Sequence, residues 1–237
     1  MMEHFLYLGV DFFSFLFPFV LSFHPKWKFL EQRKHLVWST CMVAVPFLFW
    51  DAWFTGMGVW GFNDRYLSGI YLGRLPLEEL LFFLCIPFAS LFTYSCIGLL
   101  TWIPKSDDLL LSSFLALGLF MGGIFWWDRW YTSTTFCALS LFLLAHVLYF
   151  RFAWMRQFYL SYLVILPFFF LTNGILTGYF TVQPVVWYND RENLGLRLGS
   201  IPLEDIFYGM LLLLMNTFLF EEKICSLRTK ATEKVAS

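Results

Sequence analysis

The chain of 237 residues has little charge, since Asp, Glu, Lys and Arg make up 14% of it, against about 25% in an ordinary soluble domain. Disordered chains and nucleic-acid-binding domains both depend on charge, so this scarcity excludes them. Cysteine is scarce too, and the five cysteines form no CxxC pair and show no metal-ligand spacing with histidine. A disulfide scaffold is therefore excluded, and we expect neither a metal site nor a nucleic-acid partner.

Apolar residues are in excess, with 59% of the chain hydrophobic and 22% aromatic. So much apolar surface cannot be hidden from water in one domain of this size, which predicts a multi-pass protein surrounded by membrane lipid. A spanning helix needs about 20 mostly apolar residues. Seven segments qualify and predict an all-α integral membrane fold: 4–23, 36–54, 77–102, 109–127, 132–150, 157–180 and 203–220.

The distribution of basic residues predicts the orientation of these helices. With the N-terminus outside, eleven of the sixteen Lys and Arg residues, including every Lys, fall in the inside segments. The remaining five fall outside: Arg65, Arg74, Arg129, Arg191 and Arg197. Because basic segments stay on the cytoplasmic side, we expect the N-terminus out and the C-terminus in the cytoplasm. If the protein comes from a bacterium, we expect it in the inner (cell) membrane.

One stretch of the sequence occurs twice, at an offset of 126 residues. Residues 63–79 and 189–205 align without a gap, and nine of the seventeen positions are identical. Both copies precede an odd-numbered helix, and odd-numbered helices cross the membrane in the same direction. We therefore expect two parallel halves around a shared cavity. The repeat predicts four parts: a three-helix repeat at 1–104, a linking helix at 105–130, a second three-helix repeat at 131–222 and a polar C-terminal tail at 223–237.

Each copy ends in two adjacent acids, Glu78-Glu79 and Glu204-Asp205, that follow a Pro-Leu step. Proline suits the start of a helix, so the acids fall in the first turn, where they can simply complement the helix dipole. Two such acid pairs at membrane depth favour a functional role for these residues, since an ionisable group there costs free energy. Neighbouring helical residues point about 100° apart, so we expect only one acid of each pair to face the cavity. We expect the other acid to pair with an arginine: Arg65 or Arg74 in the first half, Arg191 or Arg197 in the second.

A dry site of this kind can hold one protonated acid beside one carboxylate, which suits the delivery and removal of a proton. A proton-transferring enzyme and a proton-coupled transporter both fit that description, whereas a structural scaffold fits the paired acids poorly. Lysine is absent from all seven segments, which excludes a retinal Schiff base. No [Asn/Asp]-x-x-x-Asp motif is present, which argues against a magnesium-dependent prenyltransferase.

The sequence around the acids resembles the small membrane-type, non-flavin lycopene cyclases. In the first half the resemblance rests on Trp50-Asp51, Phe54-Thr55, residues 58–63, and Pro76-Leu77-Glu78-Glu79. In the second half it rests on Asn173-Gly174, Leu176-Thr177-Gly178 and Pro202-Leu203-Glu204-Asp205. The likeness covers nearly the whole chain and is to the fused, two-half form of the family. It implies a redox-neutral cyclisation of lycopene to β-carotene through γ-carotene, with no flavin and no other cofactor.

The resemblance also implies site residues by motif position. Four acids are candidate acid and base groups, with the two that are identical between the halves as the first candidates: Glu78 and Glu204, then Glu79 and Asp205. Five residues are supporting or substrate-binding candidates: Asp51, Trp60, Asn63, Asn173 and Trp187. The halves differ where Trp60-Gly61-Phe62 becomes Val186-Trp187-Tyr188, so we do not expect them to be equivalent.

The expected partners are lycopene or a related carotenoid, membrane lipid and other enzymes of carotenoid synthesis. A cyclase for another carotenoid, monocyclic or with 50 carbons, has the same proton chemistry and remains an alternative. The proton-coupled transporter is the alternative from a different class, because only the resemblance separates it from an enzyme.

Overall fold

The computed structural model of the protein describes residues 3–27, 29–100 and 108–236, with no side-chain description for Leu100 or beyond Cys225. Within these residues seven helices are long and apolar enough to cross a membrane, which confirms the predicted number of spans. The helices are α1 Leu6–Ser22, α2 Arg33–Met57, α3 Leu77–Leu100, α4 Asp108–Phe125, α5 Trp130–Ala145, α6 Met155–Leu176 and α7 Leu203–Ala236. A π-helical turn, His146–Phe150, extends α5.

The helix bounds differ from the predicted spans in identifiable places. α6 covers Met155–Leu176 instead of 157–180, because Gly178 adopts a positive φ of 100° that ends the helix. α7 continues to Ala236, so the predicted polar tail has a helical backbone. Residues 101–102 of the third predicted span lie outside the described residues, as do Lys28 and Lys105, which contributed to the predicted orientation.

The hydrogen bonds of the two halves repeat along with the sequence. The Ser68 amide donates to Glu78 Oε1 and the Leu194 amide to Glu204 Oε1, both at 2.7 Å and both ten residues ahead of the acceptor. The Tyr7 hydroxyl bonds to Glu79 as the Tyr131 hydroxyl bonds to Asp205, at 2.6 Å in each case. Helices α1–α3 therefore recur as α5–α7, with α1 and α5 offset by 124 residues and α3 and α7 by 126.

Six short strands lie at one end of the helices, and one pair of them joins the two halves. The strands are β1 Trp60–Phe62, β2 Tyr71–Leu72, β3 Leu75–Pro76, β4 Val186–Tyr188, β5 Arg197–Leu198 and β6 Ile201–Pro202. β2–β3 and β5–β6 are equivalent hairpins that lead into α3 and α7. β1 pairs antiparallel with β4, and Gly61 faces its repeat equivalent Trp187. A twofold axis through that pair would exchange the halves, as expected for parallel repeats.

The linking helix α4 lies against α5 rather than between the halves. A Cβ atom on Gly123 would lie 2.6 Å from Cys137 Sγ and 3.3 Å from the Ser133 carbonyl oxygen, so the two helices approach closely there. The Ser140 hydroxyl also donates to the Ala116 carbonyl at 2.7 Å. α4 therefore covers one face of the second half, and among residues 3–27, 29–100 and 108–236 no helix covers the first half in the same way.

Candidate functional site

A cavity of about 680 Å³ lies between α1, α3, α6 and α7. Most of its lining is aliphatic or aromatic, including Val10, Phe82, Ile165 and Leu212. Both halves contribute to the lining, since α1 and α3 come from the first and α6 and α7 from the second. Three carboxyl groups also line it: Asp51, Glu79 and Asp205. The cavity therefore combines an apolar volume with acids from both repeats, the environment expected for a hydrocarbon substrate.

Two of these acids, Asp51 at the end of α2 and Glu79 in the first turn of α3, form a buried pair. Their carboxyl groups lie close enough to interact, and a hydrogen bond between two carboxyl groups requires a proton on one of them. The Tyr7 hydroxyl donates to Glu79 Oε2 at 2.6 Å, and the Tyr208 hydroxyl donates to Asp51 Oδ1 at 2.9 Å. The pair can thus hold a proton at the cavity wall with its remaining oxygens satisfied.

The third acid, Asp205 in the first turn of α7, is surrounded by donors. Tyr131 donates to Oδ1 at 2.6 Å, and Oδ2 accepts from Tyr188 at 2.9 Å and from the Asn173 amide at 3.0 Å. Burial and the adjacent Asp205 carboxylate hold the pKa of Tyr188 well above its ordinary value, so this phenol keeps its proton and donates. Three donors to one carboxyl group stabilise its ionised form.

The two arrangements are pseudo-equivalent but chemically different. Asp51 has the same position relative to Glu79 as Asn173 has relative to Asp205, because α2 and α6 place these two residues beside the first turn of the following helix. In the first half the neighbour is an acid and the pair shares a proton. In the second half it is an amide that donates. The repeat therefore sets a pair of carboxyl groups opposite a single carboxyl group that accepts from three donors, so the two halves of the site differ in their chemistry.

Four aromatic rings surround the space between the acids: Trp60, Tyr131, Tyr188 and Tyr208. The Trp60 ring lies 5.0 Å from that of Tyr131 and 6.0 Å from that of Tyr208, and Tyr131 stacks on Tyr188 at 5.9 Å. All four line the cavity, and Trp60 reaches it because β1 pairs with β4. Aromatic faces attract cations, so this aromatic cluster can stabilise positive charge that develops beside the acids.

Glu78 and Glu204, the first candidates from the sequence, are not among the described lining residues of the cavity. Each is fully buried and accepts the backbone amide of the residue ten positions earlier, and Glu204 also accepts the Thr132 hydroxyl at 2.5 Å. They hold the loop that precedes each hairpin against the helix that follows it. Their identity between the halves therefore reflects a loop geometry that both repeats share.

The expected pairing of these acids with arginines is wrong. Among the described ion pairs, Arg65 binds Glu3 at 2.7 Å and Arg197 binds Asp190 at 2.6 Å, and none joins an arginine to the four motif acids. The guanidinium of Arg74 lies over Gly56. Arg65 and Arg197 thus pair with the exposed acids Glu3 and Asp190, while the buried acids bond to tyrosine hydroxyls and backbone amides instead.

The supporting candidates divide into two groups. Asp51, Trp60 and Asn173 line the cavity. Asn63 lies outside the described lining, where it accepts the Arg65 amide at 3.1 Å and donates to Gln183 at 3.1 Å, so it shapes a loop. Trp187 is 42% exposed and packs on Gly61, because adjacent strand residues face opposite sides and Tyr188 takes the inward position.

Four hydroxyl donors of the site were not among the candidates from the sequence: Tyr7, Tyr131, Tyr188 and Tyr208. Tyrosines near the ends of apolar segments are typical of interfacial belts, so their type alone did not single them out. A signal was present for two of them, since Tyr7 and Tyr131 recur at an offset of 124 residues. An alignment of the repeat that allowed a second offset would have found them.

Comparison with known proteins gives one match. A family model described as lycopene cyclase matches residues 4–97 and 128–222, and so covers α1–α3 up to residue 97 and α5–α7 to residue 222. No curated protein and no solved structure matches the chain.

Proposed function

The chain belongs to the lycopene cyclase family, and we propose that it converts lycopene through γ-carotene to β-carotene. Membership makes the chain a carotenoid cyclase, and the seven apolar helices make it a multi-pass membrane protein. One observation supports the proposed conversion of lycopene to β-carotene: Asp51, Glu79 and Asp205 line one apolar cavity together. A hydrocarbon without polar groups needs such a cavity, and the reaction needs an acid and a base within it.

The acid in this proposal is the carboxyl pair of Asp51 and Glu79. Its shared proton is delivered to C2 of the terminal double bond of lycopene, which leaves a cation at C1. The two tyrosine hydroxyls that donate to the pair, Tyr7 and Tyr208, stabilise the negative charge that remains after the proton leaves. The C5–C6 double bond then attacks C1, the ring closes, and the positive charge moves to C5.

The base in this proposal is Asp205. Its three hydrogen-bond donors favour the carboxylate, which can remove the proton from C6 and leave the C5–C6 double bond of a β-ring. One proton enters and one leaves, so the product is an isomer of the substrate. The proton must then return from Asp205 to the acid pair, and the tyrosines between them supply hydroxyl groups for that transfer.

The aromatic cluster of Trp60, Tyr131, Tyr188 and Tyr208 supports the cationic stage. Each aromatic face can stabilise a desolvated cation by about 2 kcal/mol. Trp60 and Tyr131 are buried, so the cluster also keeps water away from the cation and prevents its capture as an alcohol. The rings of these residues therefore act on the cationic intermediate, while the hydroxyl groups of the three tyrosines donate to the acids.

The test is expression in a lycopene-accumulating bacterium with analysis of the extracted pigments. We expect β-carotene from the wild type and unchanged lycopene from Glu79→Gln. Glu3→Gln is the matched control, because Glu3 is an exposed acid that pairs with Arg65, and it should convert lycopene like the wild type. All three proteins are compared at equal membrane expression.

Each other outcome contradicts a specific part of the proposal. ε-Rings in the wild-type product would overturn the removal of the C6 proton. Full conversion by Glu79→Gln would remove Glu79 from the chemistry. A well-expressed wild type that leaves lycopene unchanged, yet cyclises a longer acyclic carotenoid, would show that the substrate assignment is wrong.

A further inference from the structure

The cavity opens sideways onto the lipid-facing surface between α1 and α6. Phe13 and Phe17 of α1 line the cavity yet are 72% and 71% exposed, and Phe168 of α6 is 66% exposed. A residue can line a cavity and remain this exposed only at its opening. A carotenoid dissolved in the bilayer therefore has a direct lateral path to the acids.

The twofold relation between the halves predicts a second cavity, but at one point of its wall a phenylalanine takes the place of a glycine of the observed cavity. Gly209 of α7 lines the observed cavity, and its equivalent at an offset of 126 residues is Phe83 of α3. Phe83 is 1% exposed and its ring lies 6.1 Å from that of Phe47 on α2. A glycine in one half thus leaves the space that a phenylalanine occupies in the other.

The place equivalent to the lateral opening is covered as well. Gly9 and Phe13 of α1 correspond to Ser133 and Cys137 of α5 at an offset of 124 residues. The linking helix α4 packs on both of these α5 residues through Gly123. The helix that joins the halves therefore closes on the second half the route that stays open on the first.

From this asymmetry we propose that the enzyme cyclises one end of the carotenoid at each encounter and releases the monocyclic product into the bilayer before the second end enters. The inference rests on the proposed function. The two ends of a linear carotenoid are as far apart as the molecule is long, so while one end lies beside Asp51, Glu79 and Asp205, the other lies outside the opening. The ring formed first must withdraw through the opening, and the molecule must return with its other end forward.

Isotope dilution with the wild-type enzyme tests this directly. Membrane vesicles receive ¹³C-labelled lycopene together with an excess of unlabelled γ-carotene, and the label in β-carotene is followed by mass spectrometry. If the monocyclic product is released, β-carotene should carry the diluted label of the mixed γ-carotene pool. Free labelled γ-carotene should then appear before labelled β-carotene. β-Carotene that keeps the full label of lycopene while unlabelled γ-carotene is also consumed would overturn the inference. Absence of any ring closure would instead count against the proposed function.

Gly9→Phe gives an independent test at the opening. A Cβ on Gly9 meets no atom within 4 Å, so the new ring extends into the cavity without displacing the backbone. Because the same open end of the carotenoid enters in both steps, lycopene and γ-carotene consumption should slow by the same factor, about tenfold or more. Gly118→Phe on α4 is the matched control, since its Cβ also meets open space and Gly118 is not among the described lining residues. A loss confined to one of the two steps would contradict a shared chamber.

Discussion

Asp205→Asn separates the base from its surroundings with little change of shape. An asparagine keeps one carbonyl oxygen, which can still accept from Tyr188 and Asn173, and turns an amide group toward the Tyr131 hydroxyl. One hydrogen bond to a charged group is lost, which costs about 1.5–3 kcal/mol of stability. The chemical loss is larger, because a general base contributes about 10²–10⁴-fold to the rate. We therefore expect a folded protein whose initial rate of lycopene consumption falls by two to four orders of magnitude.

Glu204→Gln is the matched comparison, one residue earlier on the same helix. Glu204 Oε1 accepts from the Leu194 amide and the Thr132 hydroxyl, whereas Oε2 has no partner in the part of the chain that the structure describes. A glutamine can keep both bonds with its carbonyl oxygen, so its rate should fall by less than about tenfold, a difference of 1.4 kcal/mol. The assay is the initial rate in vesicles, per mole of enzyme that remains monodisperse in detergent. Equal rates for Asp205→Asn and the wild type, or an equal loss in Glu204→Gln, would refute the assignment of the base.

Three further predictions concern the aromatic cluster, the donors and the orientation. Trp60→Leu should lower the rate of ring closure by about 30-fold, the equivalent of one 2 kcal/mol cation–π contact, and an unchanged rate in vesicles would show that this ring does not meet the cation. Tyr188→Phe removes one of the three donors to Asp205 and should slow the reaction by about 10- to 150-fold, since a hydrogen bond to a charged group contributes about 1.5–3 kcal/mol; a rate equal to that of the wild type would contradict the role of this donor. A fluorescent protein fused after Ser237 should fluoresce and a periplasmic phosphatase fused there should be inactive, because the predicted C-terminus is cytoplasmic; the reverse result would invert the orientation.

The sequence predicted the seven spans and the repeat because both depend on patterns that survive without tertiary contacts. Apolar length alone defines a spanning helix, and the copy of residues 63–79 at 189–205 is visible by inspection. The side of the helix that each acid faces was harder to predict. In a first turn that side depends on how the preceding hairpin enters the helix, and the Ser68 amide turns Glu78 away from the cavity.

Identity between the halves was a misleading guide to the chemistry. Glu78 and Glu204 are identical because both capture a loop amide in the same way. The positions that differ, Glu79 against Asp205 and Asp51 against Asn173, are those that line the cavity. The acids of the site therefore lie where the repeat diverges, whereas two of their donors, Tyr7 and Tyr131, are identical between the halves.

The central claim is that acids from both halves meet one end of the carotenoid in a single chamber. A cryo-electron microscopy structure of the inactive Asp205→Asn protein with lycopene tests it most directly. We expect density for one end of lycopene between Glu79 and residue 205, within contact distance of about 4 Å of both, with the rest of the carotenoid leaving between α1 and α6. Lycopene bound elsewhere on the protein, with its ends remote from both residues, would contradict the account.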